Sequence, residues 1–176
     1  SAQASPQRAA LVFGSKISPY LQAAFTSIPN FKYQIATSIN NWEQYSLIII
    51  QELDFISAED IKLLQSALQK GKNVWIIPSA NNIKSLGQIS GELGKVTLSN
   101  WDTTAQIVNK IQINHPVFKQ IFSKLDEKTQ YPTISGRYKK TQLQQLNEIP
   151  IISFRDGQPL LAQYTDQSYS GNLYIM

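Results

Sequence analysis

The sequence predicts a three-layer α/β/α domain with a mainly parallel sheet and an antiparallel β extension at its C-terminal end. Three observations carry that prediction. Unbroken apolar runs at residues 47–50 and 74–77 have the composition of strands covered on both faces. Helix-like stretches of about a dozen residues fall between the strand-like runs, which is the order of βαβ crossovers. Beyond Tyr131 the helical spacing gives way to strands separated by turns.

Each element has its own local reason. Residues 10–13 are apolar and stop at Gly14-Ser15, a strand followed by a turn. Ile17, Leu21, Ala24, Phe25 and Ile28 then share one helical face, which Pro29-Asn30 closes. Residues 31–37 alternate apolar and polar, as a half-buried strand near a sheet edge does. After the run at 47–50, Ser57 caps a helix whose stripe is Ile61, Leu64 and Leu68. Glu59 and Asp60 set negative charge at its positive end, and Lys70-Gly71 closes it. The run at 74–77 is the next buried strand. Residues 83–93 predict a further helix, weakened by Gly87 and Gly91 at about 1 kcal/mol each.

The second half reads differently. Residues 107–113 are strand-like, and His115-Pro116 precedes a short helix lined by Val117, Phe118, Ile121, Phe122 and Leu125. Residues 149–154 and 158–164 flank Arg155-Asp156-Gly157 as a hairpin, with Asp156 and Gly157 supplying positive φ angles. Ser170-Gly171-Asn172 turns the chain into a last strand, NLYIM, which suggests a domain excised from a longer protein. The first ten residues are small and polar and read as a linker or expression remnant, leaving 11–176 as a single domain.

Composition narrows the function. Charged residues make up 16% of the 176, against about 25% in an average domain, and the formal net charge is only +4. Gln (19) and Asn (11) supply much of the polar surface instead. Such a surface gives little electrostatic pull on nucleic acid. With no cysteine, disulfides and thiolate chemistry are excluded, and one histidine argues against a zinc site. No apolar run approaches the ~18 residues of a membrane-spanning helix. No metal or cofactor is expected. The densest basic cluster, Arg137, Lys139 and Lys140, reads as a solvated strand edge, with an anion patch as the alternative.

In an open α/β sheet, ligands gather where loops diverge at the carboxyl ends of the strands. Those ends offer Gly14, Ser15, Glu52, Asp54, Ser79, Asn81 and Asn82 as a candidate ligand or partner rim. None makes a convincing catalytic set. Gly14 is too little glycine for a phosphate loop. Glu52 and Asp54 fit a loop that caps the next helix as well as they fit a metal or base role. Ser79 stands at a strand-to-helix elbow without flanking glycines, and His115 is the only imidazole that could serve it. Trp42, Trp75 and Trp101 read as packing residues. Some of the eight tyrosines must be exposed and could stack on a sugar or peptide.

The stretch YSLIIIQELDFISAEDIKLLQSALQKGKNVWIIPSANN resembles the class I glutamine amidotransferase-like fold, with its flavodoxin-like sheet. More narrowly, the chain resembles the amidotransferase-like domain of Bat-type (aerotolerance-operon) double-transmembrane membrane proteins, through NHPVF, IPIISFRDGQPLLAQY and NLYIM. The resemblance covers most of residues 11–176. Active members of the superfamily carry Cys at the elbow and a later His–Glu pair. Here the elbow reads PSANN and the late segment has no His, so no functional residue transfers. The resemblance implies a noncatalytic interaction or ligand-sensing domain rather than an enzyme. It implies a soluble domain of a bacterial inner-membrane protein, periplasmic rather than cytoplasmic, anchored through flanking segments and partnered by other envelope or membrane proteins. The alternative is a carbohydrate-related enzyme or binding protein of the same fold, like trehalose-utilisation proteins, against which the single histidine counts.

Overall fold

The structure, a computed structural model, describes residues 8–116, 130–143 and 147–176. In chain order its elements are β1 (Arg8–Phe13), α1 (Pro19–Thr26), β2 (Phe31–Ala36), a 3-10 turn (Trp42–Gln44), β3 (Leu47–Ile50), α2 (Ala58–Gln69), β4 (Asn73–Ile76) and α3 (Ile83–Gly94). Then follow β5 (Val96–Asp102), β6 (Gln106–Ile111), β7 (Thr133–Ile134), β8 (Arg137–Gln142), β9 (Asn147–Phe154), β10 (Pro159–Thr165) and β11 (Leu173–Ile175). The helix expected from Val117 to Leu125 lies outside the described residues.

Among the described residues nine strands form one sheet in the order β2-β1-β3-β4-β11-β10-β9-β6-β7, and β5 pairs with β8 as a separate ribbon. The first five run parallel, and β10, β9, β6 and β7 continue the sheet antiparallel. This is a mixed α/β fold with a large, mostly parallel sheet and few helices.

The apolar runs sit where their composition requires. β3 lies between β1 and β4, with Ile48, Ile49 and Ile50 all fully buried. Alternation sends Ile48, Ile50, Val74 and Ile76 to one core, against α2 and α3. It sends Ala10, Val12 and Ile49 to the other, against Phe25 of α1. Each such isoleucine contributes about 1.5–3 kcal/mol by leaving water. Ser57 forms the expected cap on α2: its hydroxyl accepts from the Asp60 amide at 3.0 Å, and Asp60 accepts from the Ser57 amide at 3.2 Å.

Several expectations need correction. Residues 8–10 are not linker. Arg8 pairs with Phe31 and Ala10 with both Tyr33 and Leu47, so the sheet recruits them despite their small, polar neighbourhood. The α1 stripe is shorter than its spacing suggests. The helix ends at Thr26, Phe25 alone is buried, and Ile28 beyond it is 41% exposed. The hairpin turn takes positive φ at Gly157 (+84°) but not at Asp156. The Gly157 amide donates to the Phe154 carbonyl at 3.0 Å, the pattern of a three-residue loop whose glycine is left-handed. The last strand is not simply part of the antiparallel extension. β11 pairs parallel with β4 on one side and antiparallel with β10 on the other, joining the two halves.

Candidate functional site

The carboxyl ends of β1, β3 and β4 bring together most of the rim residues that the sequence nominated. Gly14 is buried, and a Cβ there would lie 1.7 Å from the Gln51 carbonyl oxygen, so only glycine lets the β1 and β3 ends approach this closely. The Ser15 amide and hydroxyl both donate to the Glu52 carbonyl, at 3.2 and 3.0 Å. Glu52 adopts φ +50°, a left-handed kink that turns the chain out of β3. The buried Gln51 accepts from the Ser18 amide at 3.0 Å, tying the start of α1 to the same loop.

At the end of β4 the polar groups engage one another. The Ser79 hydroxyl donates to Asn82 Oδ1, and Asn82 Nδ2 donates to Asp54 Oδ1 at 2.9 Å. Asn82 is 3% exposed, so this chain of side chains closes the gap between the β3 and β4 loops. Tyr138 of β8 donates its hydroxyl to the Ser79 carbonyl at 2.8 Å, and Ser85 donates to the Leu53 carbonyl. Asn81 and Asp54 are exposed, and Asn81 joins none of these bonds. His115 hydrogen-bonds Gln163 at 2.8 Å and stands edge-on to Tyr174, while Ser79 is turned to Asn82. Two aromatics stand out beside the rim: Tyr20 in α1 is 89% exposed and Phe55 in the loop after β3 is 76% exposed. Among the described residues no three His, Asp or Glu side chains gather as a metal site, and no helix is long and apolar enough to cross a membrane.

A second feature was misread from the sequence. The basic cluster of β8 is not a uniformly solvated edge. Lys139 is exposed, but the Arg137 side chain is only 16% exposed and Lys140 turns inward. Lys140 Nζ donates to the carbonyls of Leu160 (2.7 Å) and Ile175 (3.3 Å), across the ends of β10 and β11. Burial pulls its pKa down to about 7; Glu148 acts in the opposite sense and Arg137 adds to the fall. The Arg137 guanidinium lies 4.3 Å over the Phe154 ring and pairs with Asp102 at 3.7 Å and Asp156 at 3.5 Å. Asp102 is held below the usual carboxylate range, first by hydrogen bonding from Thr104. These side chains wall a cavity of about 310 Å³. Nothing local to RYKK distinguishes the buried cation from the exposed one. The signal lies in β5, β10 and β11, which enclose β8 from afar.

No family model matches the chain, and no curated protein matches it. Solved structures do. The chain aligns with Cytoplasmic Protein STM3548 from Salmonella typhimurium over 96% of its length and 86% of that protein, with TM-score 0.64 and 11% identity. It aligns with a ThuA-like protein from Bacteroides uniformis ATCC 8492 over 98% of its length and 83% of that chain, with TM-score 0.62 and 11% identity. The chain therefore shares the α/β fold of these structures. A third neighbour is Gan42B, a GH42 β-galactosidase from G. stearothermophilus, with TM-score 0.61 and 13% identity. It matches over 98% of this chain but only 27% of that enzyme. At these identities the likeness concerns the fold, and no Bat-type membrane protein figures among these neighbours.

Proposed function

We propose that this glutamine amidotransferase-like chain is a noncatalytic domain that binds a ligand or partner, with its helices covering both faces of the sheet in the three-layer, flavodoxin-like manner. One observation carries the reading: at the strand ends, where the fold would present a nucleophile, Ser79, Asn82 and Asp54 are spent on one another and Ser15 on Glu52. A serine whose hydroxyl donates to an amide oxygen has no base to take its proton. Gly14, Ser15, Glu52, Asp54, Ser79 and Asn82 then form a bonded structural rim, with Asn81 exposed beside it. Placement in a membrane-anchored envelope protein, on the periplasmic side and among envelope partners, rests on the sequence resemblance to Bat-type proteins. Glutamine and ester substrates test the noncatalytic reading. No turnover above buffer is expected, and turnover lost in Ser79→Ala overturns it.

A carbohydrate-related role is the second reading. It is favoured by the ThuA-like and β-galactosidase neighbours and by the exposed rings of Tyr20 and Phe55, which suit stacking on a sugar. Titration with trehalose and galactobiose, followed by amide shifts around residues 20 and 55, tests it. Shifts that saturate and vanish in Tyr20→Ala support this reading, and their absence removes it.

A further inference from the structure

We infer that the cavity between β8 and the β9–β10 turn is a binding site for a small monocarboxylate carrying hydroxyl groups, held through Lys140 and Arg137. The site lies beside the strand-end rim and is independent of the noncatalytic reading of that rim. At about 310 Å³ the cavity is at the lower end of the range for small-molecule sites, large enough for one compact ligand. Its charge selects the ligand. Arg137, Lys139 and Lys140 stand against Asp102 and Asp156, leaving one positive charge when Lys140 is protonated. That balance suits a monoanion. The two carboxylates repel a phosphate dianion or a polyanionic backbone.

The donors are arranged for such a guest. Arg137 is fixed by stacking on Phe154 and by both aspartates, so its guanidinium is positioned before any ligand arrives. Lys140 forms no ion pair among the described residues; its partners are two carbonyls, whose dipoles only partly offset a buried ammonium. A ligand carboxylate would supply the missing negative charge. At the opening, Asp102 and Asp156, with side chains 40% and 45% exposed, and Gln158 offer acceptors and an amide to hydroxyl groups on the rest of the ligand.

D-Gluconate is the probe, with D-glucitol and inorganic phosphate as neutral and dianionic controls, each titrated into the chain and followed by amide NMR. At pH 6, gluconate is expected to give saturating shifts confined to residues 137–140 and 156–158, with a Kd of about 1 mM or tighter, while glucitol and phosphate bind at least ~10-fold more weakly. Lys140→Met is expected to weaken gluconate at least ~10-fold. The parent chain supplies a reading that needs no variant. The charged groups facing Lys140 are Glu148, Asp102, Asp156 and Arg137; raising the pH from 6 to 9 neutralises Lys140, while Asp102 is held low by Thr104 and burial holds Tyr138 above the usual phenol range. Gluconate affinity is therefore expected to fall at least ~10-fold. Unchanged affinity at pH 9 or in a folded Lys140→Met chain, shifts elsewhere on the surface, failure to saturate, or phosphate binding as tight as gluconate would each overturn the assignment.

Discussion

Lys140 makes the stability of this chain depend on pH in an unusual direction. Its amine titrates near 7 in the folded chain against 10.5 in an exposed lysine. Between those values the unfolded chain holds the proton that the folded chain has released, so folding strengthens as pH rises. At about 1.4 kcal/mol per pH unit of displacement, the full difference is roughly 5 kcal/mol, and about 3 kcal/mol of it falls between pH 7 and 10. The tyrosines act oppositely and later. Burial raises Tyr164, aided by the bond to Glu148, and pushes Tyr169 up to about 12. Above pH 10 the unfolded chain therefore loses phenolic protons first, and stability falls. Maximum stability is expected between about pH 9 and 10. Urea unfolding at pH 7, 8, 9 and 10 reads the curve in the parent chain and in Lys140→Met, which keeps the stem but cannot titrate. The parent should gain about 2 kcal/mol between pH 7 and 9 and the variant should show no such rise, while at pH 10 the tyrosines lower both. A flat parent curve, or the same rise in the variant, would refute the account of Lys140 as a buried amine.

Three further outcomes follow from the packing. Ile49→Ala and Ile76→Ala should each cost about 2–5 kcal/mol in a denaturant melt, since both residues are fully buried; a loss below about 1 kcal/mol would mean the site collapses without a cavity. Gly14→Ala should cost about 3 kcal/mol or prevent folding, because its Cβ would sit 1.7 Å from a backbone oxygen, and an unchanged thermal midpoint would contradict that contact. Asn82→Ala should cost about 1–3 kcal/mol by unpairing Ser79 and Asp54, and a neutral melt would show that the bonded rim holds nothing together.

What the sequence disclosed and what it hid divide along the range of the interactions. Ile48–Ile50 could be placed at the sheet centre because an unbroken aliphatic run needs cover on both faces, and Ser57 announced α2 through a cap only three residues long. The rim residues could be nominated because topology fixes where strand ends meet. That it would be bonded shut was not legible, since the Asn82–Asp54 bond joins residues 28 apart. β5 escaped notice because VTLSNWD has no clean alternation and its partner β8 begins 35 residues after β5 ends. Lys140 was misjudged for the same reason. Whether a strand lysine is wet or dry depends on Leu160 and Ile175, which its own neighbours do not reveal.

The position of β11 sets the timing of folding during synthesis. Its neighbour β4 is laid down early, yet the Asn172 amide finds the Asn73 side chain only across a sequence separation of 99 residues. Until residues 173–175 leave the ribosome, β4 has an unpaired flank and β10 lacks one of its neighbours. The emerging chain thus passes through a stage with two part-sheets and open edges, the condition in which strands pair with the wrong molecule. Chaperone dependence should accordingly concentrate in the interval between the synthesis of β4 and that of β11, and the loop closure that ends it is slow because it is long.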